Sequence, residues 1–280
     1  GIIISLMAPL VSMSTARAVA SPPPIDTGFF GHPPGLFVCF ATELWERFSF
    51  YGMKFLLLLY LTKYHLFSDS DGLEVLGAYA ALVYAMPVIG GLLADRYLGM
   101  RKAVIFGGVL LVLGHLGMAL EGEQARQVGD TVVRDTGTLQ AFYFSLALIV
   151  IGVGFLKPNI STIVGRLYGA NDPRRDAGFT IFYMGINIGA FASTRLCGYL
   201  GETFGWRYGF GAACIGMLIG LATFLYGQKH LHGLAEPRDH ALLQQKSPLG
   251  INKEWTIYLC GLLAVFAAWK MLQFHGAVGH

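Results

Sequence analysis

The fold is decided by the stretch Ala41-Thr42-Glu43-Leu44-Trp45-Glu46-Arg47-Phe48-Ser49-Phe50-Tyr51-Gly52-Met53-Lys54. It lies inside an apolar segment that runs from about residue 36 to residue 61, and about 20 apolar residues are enough for a helix to cross a bilayer. An ionisable side chain at the centre of a bilayer costs roughly 2.5–3.5 kcal/mol on insertion scales. A segment that only crossed the membrane would not carry several of them, so this stretch indicates a functional site.

The charged and aromatic side chains of this stretch recur every three or four residues, and on a helix they share one face. These residues are Glu43, Glu46, Arg47, Phe50, Tyr51 and Lys54. Glu43 can reach Arg47 one turn later, and Glu46 lies beside both. The pattern predicts a charge cluster that faces a water-filled cavity and handles protons or a substrate. The alternative is a buried ion network with a purely structural role.

The composition is typical of an integral membrane protein. The chain has 280 residues, of which 54% are hydrophobic and 13% are charged, whereas soluble domains carry about 25% charged residues. The net charge of +3 is modest and does not favour nucleic-acid binding. The four cysteines show no CxxC spacing, so neither a metal site nor a disulfide is expected. A lone His115 in the third apolar segment is interpreted as a packing residue with satisfied hydrogen bonds.

Seven apolar segments predict seven membrane-spanning helices, at about 36–62, 75–94, 103–120, 139–164, 177–200, 208–226 and 255–274. We divide the chain into an N-terminal tail (1–34, with 1–12 as an upstream extension), a six-helix bundle (35–226), a polar linker (227–252) and a seventh helix (253–280). The expected fold class is therefore all-α.

Basic residues are concentrated in the turns after the second, fourth and sixth segments, and basic loops tend to stay in the cytoplasm. They are Arg96, Arg101, Lys102, Arg166, Arg174, Arg175, Lys229, Arg238, Lys246 and Lys253. We therefore expect a multi-pass protein of the inner (cytoplasmic) membrane with a cytoplasmic N-terminus.

Lys157 is the second informative position, because it lies inside the fourth apolar segment, directly before Pro158. The proline ring removes one backbone hydrogen bond and frees a carbonyl near the lysine. A buried lysine needs a partner, and Glu43, Glu46 or an anionic substrate group are the candidates; a structural lysine that extends to the interface is the alternative.

For Asn187 in the fifth segment, a hydrogen bond to a neighbouring helix is the simpler interpretation. Tyr84 in the second segment is interpreted as a packed aromatic residue. If the charged face of the first segment lies opposite, its hydroxyl lines the cavity instead.

Four motifs, in the expected order along the chain, resemble the proton-dependent oligopeptide transporter family (POT, or PTR) of the major facilitator superfamily. The first is ExxER at Glu43-Leu44-Trp45-Glu46-Arg47, and the second is the loop motif at Gly91-Leu92-Leu93-Ala94-Asp95-Arg96-Tyr97-Leu98-Gly99-Met100-Arg101-Lys102. The third and fourth are Gly154-Phe155-Leu156-Lys157-Pro158-Asn159 and the segment from Asp176 to Asn187. The resemblance covers about residues 29–226.

The resemblance implies symport of protons with di- and tripeptides by alternating access between two six-helix bundles, with no cofactor and no enzymatic activity. It assigns proton coupling to Glu43, Glu46, Arg47 and Lys157. It assigns the peptide site to Arg47, Tyr51, Lys54, Tyr84, Lys157 and Asn187, and the gating loop to Asp95, Arg96, Gly99, Arg101 and Lys102. Two departures, Phe50 in place of a common tyrosine and Lys54 in place of a common arginine, could shift the peptide preference.

The family also implies a second six-helix bundle, so we expect this sequence to be the N-terminal part of a transporter with 12–14 helices. The remaining helix near 255–274 is either helix seven or an extra helix between the two bundles. Three other functions are alternatives: a proton-coupled major facilitator for another anionic or drug-like solute, an intramembrane enzyme and a structural half-transporter. The apolar segments hold no HExxH-like motif, which disfavours the enzyme.

Overall fold

The computed structural model describes residues 28–120, 122–169, 171–247 and 250–274. Six long helices follow one another: α1 (Pro34–Lys63), α2 (Asp69–Leu93), α3 (Met100–Ala119), α4 (Thr136–Arg166), α5 (Arg175–Phe204) and α6 (Trp206–Gly227). A π-helical turn (Ala94–Leu98) extends α2, and a short hairpin of β1 (Arg126–Val128) and β2 (Thr131–Val133) joins α3 to α4. After α6 come a 3₁₀ turn (Gln228–Leu231), the short helix α7 (His240–Gln244) and the long helix α8 (Lys253–Gln273). The expected extension at 1–12 and most of the expected tail lie outside the described residues.

The all-α membrane fold is confirmed. Five helical segments are long and apolar enough to cross a membrane: 69–98, 100–119, 136–166, 206–231 and 253–273. Two further helices, α1 and α5, have 30 residues each and fall outside this group. Charged side chains inside them, such as Glu46 in α1 and Arg195 in α5, lower their apolar character. Each predicted apolar segment therefore corresponds to one helix of sufficient length.

The second helix begins earlier than its apolar segment predicts. Its N-cap is Ser68, whose hydroxyl accepts a hydrogen bond from the backbone N–H of Asp71 at 3.1 Å. Asp69 and Asp71 lie in the first turn, where acidic side chains favour the positive end of the helix dipole. These capping residues stabilise a polar first turn of the helix, which a hydropathy pattern alone does not reveal.

The hairpin end of the bundle is held by Arg134. Its guanidinium donates hydrogen bonds to the backbone carbonyls of His65 at 2.7 Å and Leu66 at 2.9 Å, and it lies over the Phe67 ring at 4.6 Å. His65 itself is buried, and its ring stacks edge-on against Tyr60 at 4.8 Å. The connection between α1 and α2 is therefore tied to the segment that precedes α4.

Lowering the pH is expected to destabilise the protein through His65. Burial, together with the nearby Arg134 cation, lowers the pKa of His65 from 6.5 to about 4. The unfolded chain therefore takes up this proton first, and stability that is complete above about pH 6.5 falls by up to about 1.4 kcal/mol per pH unit as the pH approaches 4. Thermal unfolding of the purified protein across this range measures the loss.

The matched control for this prediction is an exposed histidine, His240. We expect His65→Gln to flatten the pH dependence of the unfolding temperature and His240→Gln to leave it unchanged. An undiminished pH dependence in His65→Gln would contradict the assignment.

Glycines bring α4 close to its neighbours α2 and α3. A Cβ atom on Gly90 of α2 would collide with the backbone carbonyl of Gly154 in α4. A Cβ on Gly107 of α3 would lie 2.6 Å from the carbonyl oxygen of Gly152. Small residues at such positions allow the close backbone approach on which helix association in membranes depends. We call these two contacts the glycine contacts of α4.

Gly90→Ala is expected to lower the free energy of unfolding by about 1–3 kcal/mol, because the added methyl group forces α2 away from α4. Gly77 is the matched control, since it lies in the same helix and a methyl group added there would meet no atom within 4 Å. Gly77→Ala should be neutral or stabilising by up to about 1 kcal/mol through helix propensity. The free energies of unfolding of the two variants are measured in the same detergent. Equal values would refute the prediction that the contact at Gly90 requires glycine.

The segment predicted as a linker is folded, because it binds the ends of the bundle. Arg101 donates to Glu236, with its Nε 2.5 Å from Oε1, and Arg238 donates to Asp95 at 2.7 Å. Beyond this segment, α8 packs against α4, where Trp269 donates to the Gln140 carbonyl at 3.2 Å. The seventh predicted helix is thus part of the same packed body.

Candidate functional site

The core of the site is a buried ion cluster on α1. The Arg47 guanidinium binds both carboxylate oxygens of Glu46. Its Nε donates to Oε2, and its Nη2 donates to Oε1, the latter at 2.5 Å. Its Nε also lies 3.3 Å from Oε1 of Glu43. All three residues are at most 2% exposed. The sequence predicted this cluster, and the geometry adds that Glu46, rather than Glu43, is the principal partner of Arg47.

The cluster is not fully satisfied. Oε2 of Glu43 is buried and has no hydrogen-bond partner among the described residues. With both glutamates ionised, two carboxylates face one guanidinium, which leaves one unit of negative charge in a buried place. A buried charge without compensation is costly, so this arrangement requires a nearby cation or a proton.

Lys157 is the nearest candidate for that cation. It lies half-buried on α4, and its charge interacts with those of Glu46 and Glu43. Within the described part of the chain it forms no ion pair with either glutamate, and its Nζ lies 6.0 Å from the centre of the Tyr84 ring. The predicted lysine–glutamate pairing is therefore absent in this conformation, and the ammonium group is available for another anion.

The remaining residues predicted for the binding site lie on partly open surfaces of the bundle. Tyr51 and Lys54 of α1 are half-buried, whereas Tyr84 of α2 is 68% exposed. Tyr84 is thus not a packed aromatic residue. Asn187 of α5 is exposed, and its amide donates to the carbonyl of Tyr183 in its own helix at 3.1 Å. The expected hydrogen bond from Asn187 to a neighbouring helix is wrong, because the side chain points out of the packed bundle.

The predicted gating loop, by contrast, is held in an ion network. Asp95 accepts hydrogen bonds from Arg166 of α4 at 3.3 Å and from Arg238. Lys102 pairs with Glu254 of α8 at 2.6 Å. At Gly99 the chain takes φ = 79°, a value that favours glycine.

Of the four charged loop residues that the sequence predicted, Arg96 alone forms no ion pair with the described residues. The other charged members, Asp95, Arg101 and Lys102, join this loop to α4, to the segment after α6 and to α8. The gating role itself stays a prediction.

Two buried polar residues of the bundle were missed or misjudged from the sequence. Tyr79 of α2 stacks on Phe50 with ring centres 6.4 Å apart, and its hydroxyl has no partner among the described residues. His115 of α3 was expected to be fully satisfied. Its Nδ1 is hydrogen-bonded to the Leu111 carbonyl at 2.7 Å, but its Nε2 has no partner within the described part of the chain. Single polar residues within apolar segments carry no periodic signal, so the sequence pattern did not separate them from packing residues.

A bundle of apolar helices that encloses a charge cluster, with a lysine that forms no ion pair within the described ranges, defines the class of multi-pass membrane transporters. Residues 101–245 match the PTR2 profile, described as the POT family. This match covers half of the chain, and the protein belongs to the POT family.

Curated relatives agree with this assignment. The chain is 41% identical to "Uncharacterized transporter YclF" of Bacillus subtilis (strain 168), a match that covers 86% of this chain and 46% of the relative. It is 39% identical to "Peptide transporter YePEPT" of Yersinia enterocolitica, over 81% of this chain and 41% of the relative. It is 40% identical to "Di-/tripeptide transporter" of Lactococcus lactis, over 71% of this chain and 39% of the relative. The chain thus spans less than half the length of these relatives.

Solved structures show the same fold. A mutant of peptide transporter POT in complex with alafosfalin superposes with a TM-score of 0.69 at 40% identity, covering 86% of this chain and 47% of that one. A POT family transporter in complex with a thioalcohol-conjugated peptide superposes with a TM-score of 0.71 at 32% identity. This match covers 91% of this chain and 49% of that one.

Proposed function

We propose that this segment is the N-terminal half of a proton-coupled symporter of di- and tripeptides. The observation that carries the proposal is the buried Glu43–Glu46–Arg47 cluster, together with Lys157, which forms no ion pair with any residue that the structure describes. Relatives at about 40% identity are named a peptide transporter and a di-/tripeptide transporter, which supports the substrate class. A second bundle would supply the rest of the peptide site.

The chemistry of a short peptide fits this arrangement. Every di- or tripeptide carries an ammonium group and a carboxylate on a common backbone, while its side chains vary. Lys157, Lys54 and Arg47 offer positive charge for the carboxylate, so recognition of the chain ends can ignore the side chains. Tyr51, Tyr84 and Asn187 would complete the wall of the peptide site.

Coupling follows from competition for the same cations. When Glu43 or Glu46 takes up a proton, its attraction for Arg47 and Lys157 weakens, and a cation becomes free for the peptide carboxylate. Proton and peptide binding then share one energetic term, and linkage requires each to strengthen the other. The gradient of protons drives transport in this scheme, without a cofactor.

The topology follows the positive-inside tendency. We place the N-terminus, the Asp95–Arg101 loop and the segment after α6 on the cytoplasmic side of the inner membrane. Asp95, Arg96, Gly99, Arg101 and Lys102 would then control closure of the cytoplasmic side.

Uptake of a labelled dipeptide tests the proposal. The complete transporter that carries this segment is reconstituted in lipid vesicles, with and without an inward proton gradient. We expect accumulation that depends on the gradient and is blocked by unlabelled di- and tripeptides. A folded protein that accumulates no peptide would refute the proposal, and competition by other anionic or drug-like solutes would then identify the substrate class.

A further inference from the structure

Arg195 is a charged residue on the long helix α5 that the proposed function does not use. It is exposed on the surface of the bundle and forms no ion pair with any residue of the described ranges. The next acidic residue along α5, Glu202, pairs instead with Lys63 at 3.5 Å. An arginine that faces lipid is energetically costly, and such residues face water, a partner or a ligand. Arg195 therefore needs an anion that the described residues do not supply.

The guanidinium of Arg195 points back along α5, toward the N-terminal half of the helix. Its Cζ atom lies 4.9 Å from the centre of the Phe191 ring, one turn earlier. The nearer end of α5 is at Phe204, about 13 Å away in the other direction. A side chain that extended its charge to the nearest membrane surface would point toward Phe204. The observed direction brings the charge closer to Asn187 instead.

Arg195 lies on the same open face of α5 as Asn187. Asn187, Phe191 and Arg195 follow at intervals of four residues, so they lie along one side of the helix, and all three are exposed. The opposite side packs on α1, where a Cβ atom on Gly189 would collide with the carbonyl oxygen of Leu44. The side of α5 that carries Arg195 is thus continuous with the side that we propose for the peptide site.

Helix packing sets the level of Arg195 relative to α1. A Cβ atom on Gly52 of α1 would lie 2.6 Å from Sγ of Cys197 and 3.4 Å from Cβ of Ser193. Arg195 lies between these two positions in the chain, so its backbone is at the level of Gly52. Gly52 directly follows Tyr51, which we assign to the peptide site. Arg195 is therefore at the depth of the proposed peptide site and not at a distant end of the bundle.

The charge balance of this region favours a ligand with two carboxylates. Like Arg195, Lys54 and Lys157 have no ion-pair partner within the part of the chain that the structure describes. One of these three cations compensates the excess negative charge of the ion cluster at Arg47, and a second binds the C-terminal carboxylate of a peptide. One cation is left, and the carboxylate of an acidic peptide side chain matches it.

We propose that Arg195 binds the side-chain carboxylate of acidic di- and tripeptides and gives the transporter a preference for them. This inference rests on the proposed function and narrows its substrate class. The planar guanidinium can donate two parallel hydrogen bonds to one carboxylate. Asn187 and Arg195 are about 12 Å apart along α5, and an extended tripeptide is about 10 Å long. Because the guanidinium points toward Phe191, the gap is shorter still, and a peptide that contacts Asn187 can place an acidic side chain at Arg195.

The preference is measured by competition in the complete transporter, reconstituted in lipid vesicles. Uptake of labelled alanylalanine is inhibited with unlabelled alanylglutamate or alanylglutamine, whose side chains have similar size and differ in charge. The external pH is about 6.5, where the glutamate side chain is ionised, and the membrane potential is clamped at zero. We expect alanylglutamate to inhibit at a concentration at least about tenfold lower than alanylglutamine, because hydrogen bonds between charged groups contribute that factor or more.

Arg195→Leu should remove this preference, because the carboxylate loses its charged donor. The two inhibitory concentrations should then agree within about twofold, and the KM for alanylalanine should stay within about twofold of the parent. Arg195→Lys keeps the charge but not the planar pair of donors, and should retain part of the preference. Arg126→Leu, at an exposed arginine of β1, is the matched control and should preserve the ratio of the parent.

An Arg195→Leu transporter that retains the preference would overturn the proposal, as would a parent that shows none. An equal loss of affinity for all three peptides in the folded variant would overturn it too, because Arg195 would then pair with an acidic residue of the second bundle. If the variants do not fold, modification of the parent with phenylglyoxal decides: alanylglutamate should protect Arg195 better than alanylglutamine, and equal protection refutes the assignment. A parent that accumulates no alanylalanine refutes the proposed function itself.

Discussion

Lys157→Ala is expected to abolish proton-driven accumulation of dipeptide, with a loss of at least about 100-fold. Among the described residues Lys157 has no ion-pair partner, and hydrogen bonds to charged groups contribute about 1.5–3 kcal/mol each. Without it, neither the peptide carboxylate nor the excess negative charge of the cluster has a partner on α4. Uptake in vesicles with an inward proton gradient measures the effect.

The matched control is Lys63→Ala, at a lysine that is 56% exposed and pairs with Glu202 at 3.5 Å on the surface. Exposed ion pairs contribute only about 0–1 kcal/mol, so this variant should transport like the parent. Comparable accumulation in Lys157→Ala and Lys63→Ala would show that Lys157 has no part in coupling.

Arg47→Ala is expected to destabilise the protein by about 3–5 kcal/mol, the typical effect of removing one partner of a buried ion pair. Arg47 satisfies both oxygens of Glu46 and contacts Glu43, and all three residues are buried. Its removal leaves two carboxylates in an apolar interior. It also removes the cation that lies 4.7 Å from the centre of the Phe50 ring. Unfolding in detergent, followed by circular dichroism, measures the loss.

A second variant separates charge from packing. Combining Arg47→Met with Glu43→Leu and Glu46→Leu removes all charges of the cluster while keeping similar volumes, and such hydrophobic replacements of buried ion pairs are often neutral or stabilising. We expect the triple variant to recover most of the stability that Arg47→Ala loses, but no proton-driven transport. A triple variant as unstable as Arg47→Ala would show that packing, and not charge, determines the effect.

The sequence predicts the helices and the cluster well, because both depend on local signals. An apolar run of about 20 residues becomes a helix in a bilayer, where every backbone polar group must be satisfied within the segment. The spacing of Glu43, Glu46 and Arg47 places them on one face of a helix whatever surrounds them. These features need no knowledge of which helices are neighbours.

Several features that the sequence did not predict depend on contacts between distant segments. The fold of the linker follows from Glu236 and Arg238, which bind Arg101 and Asp95 more than 130 residues away. The stacking of Tyr79 on Phe50 depends on the position of α2 relative to α1. Neither can be read from periodicity, since hydropathy patterns describe one helix at a time.

The glycine contacts of α4 have a genetic consequence. Every missense change of a glycine codon by one nucleotide introduces a larger residue, and at Gly90 or Gly107 even the methyl group of alanine meets backbone atoms of α4. Backbone atoms, unlike side chains, cannot rotate away. These codons should therefore be depleted of tolerated variants in a saturation library, while the codon for Gly77, in the same helix as Gly90, should accept alanine and serine freely.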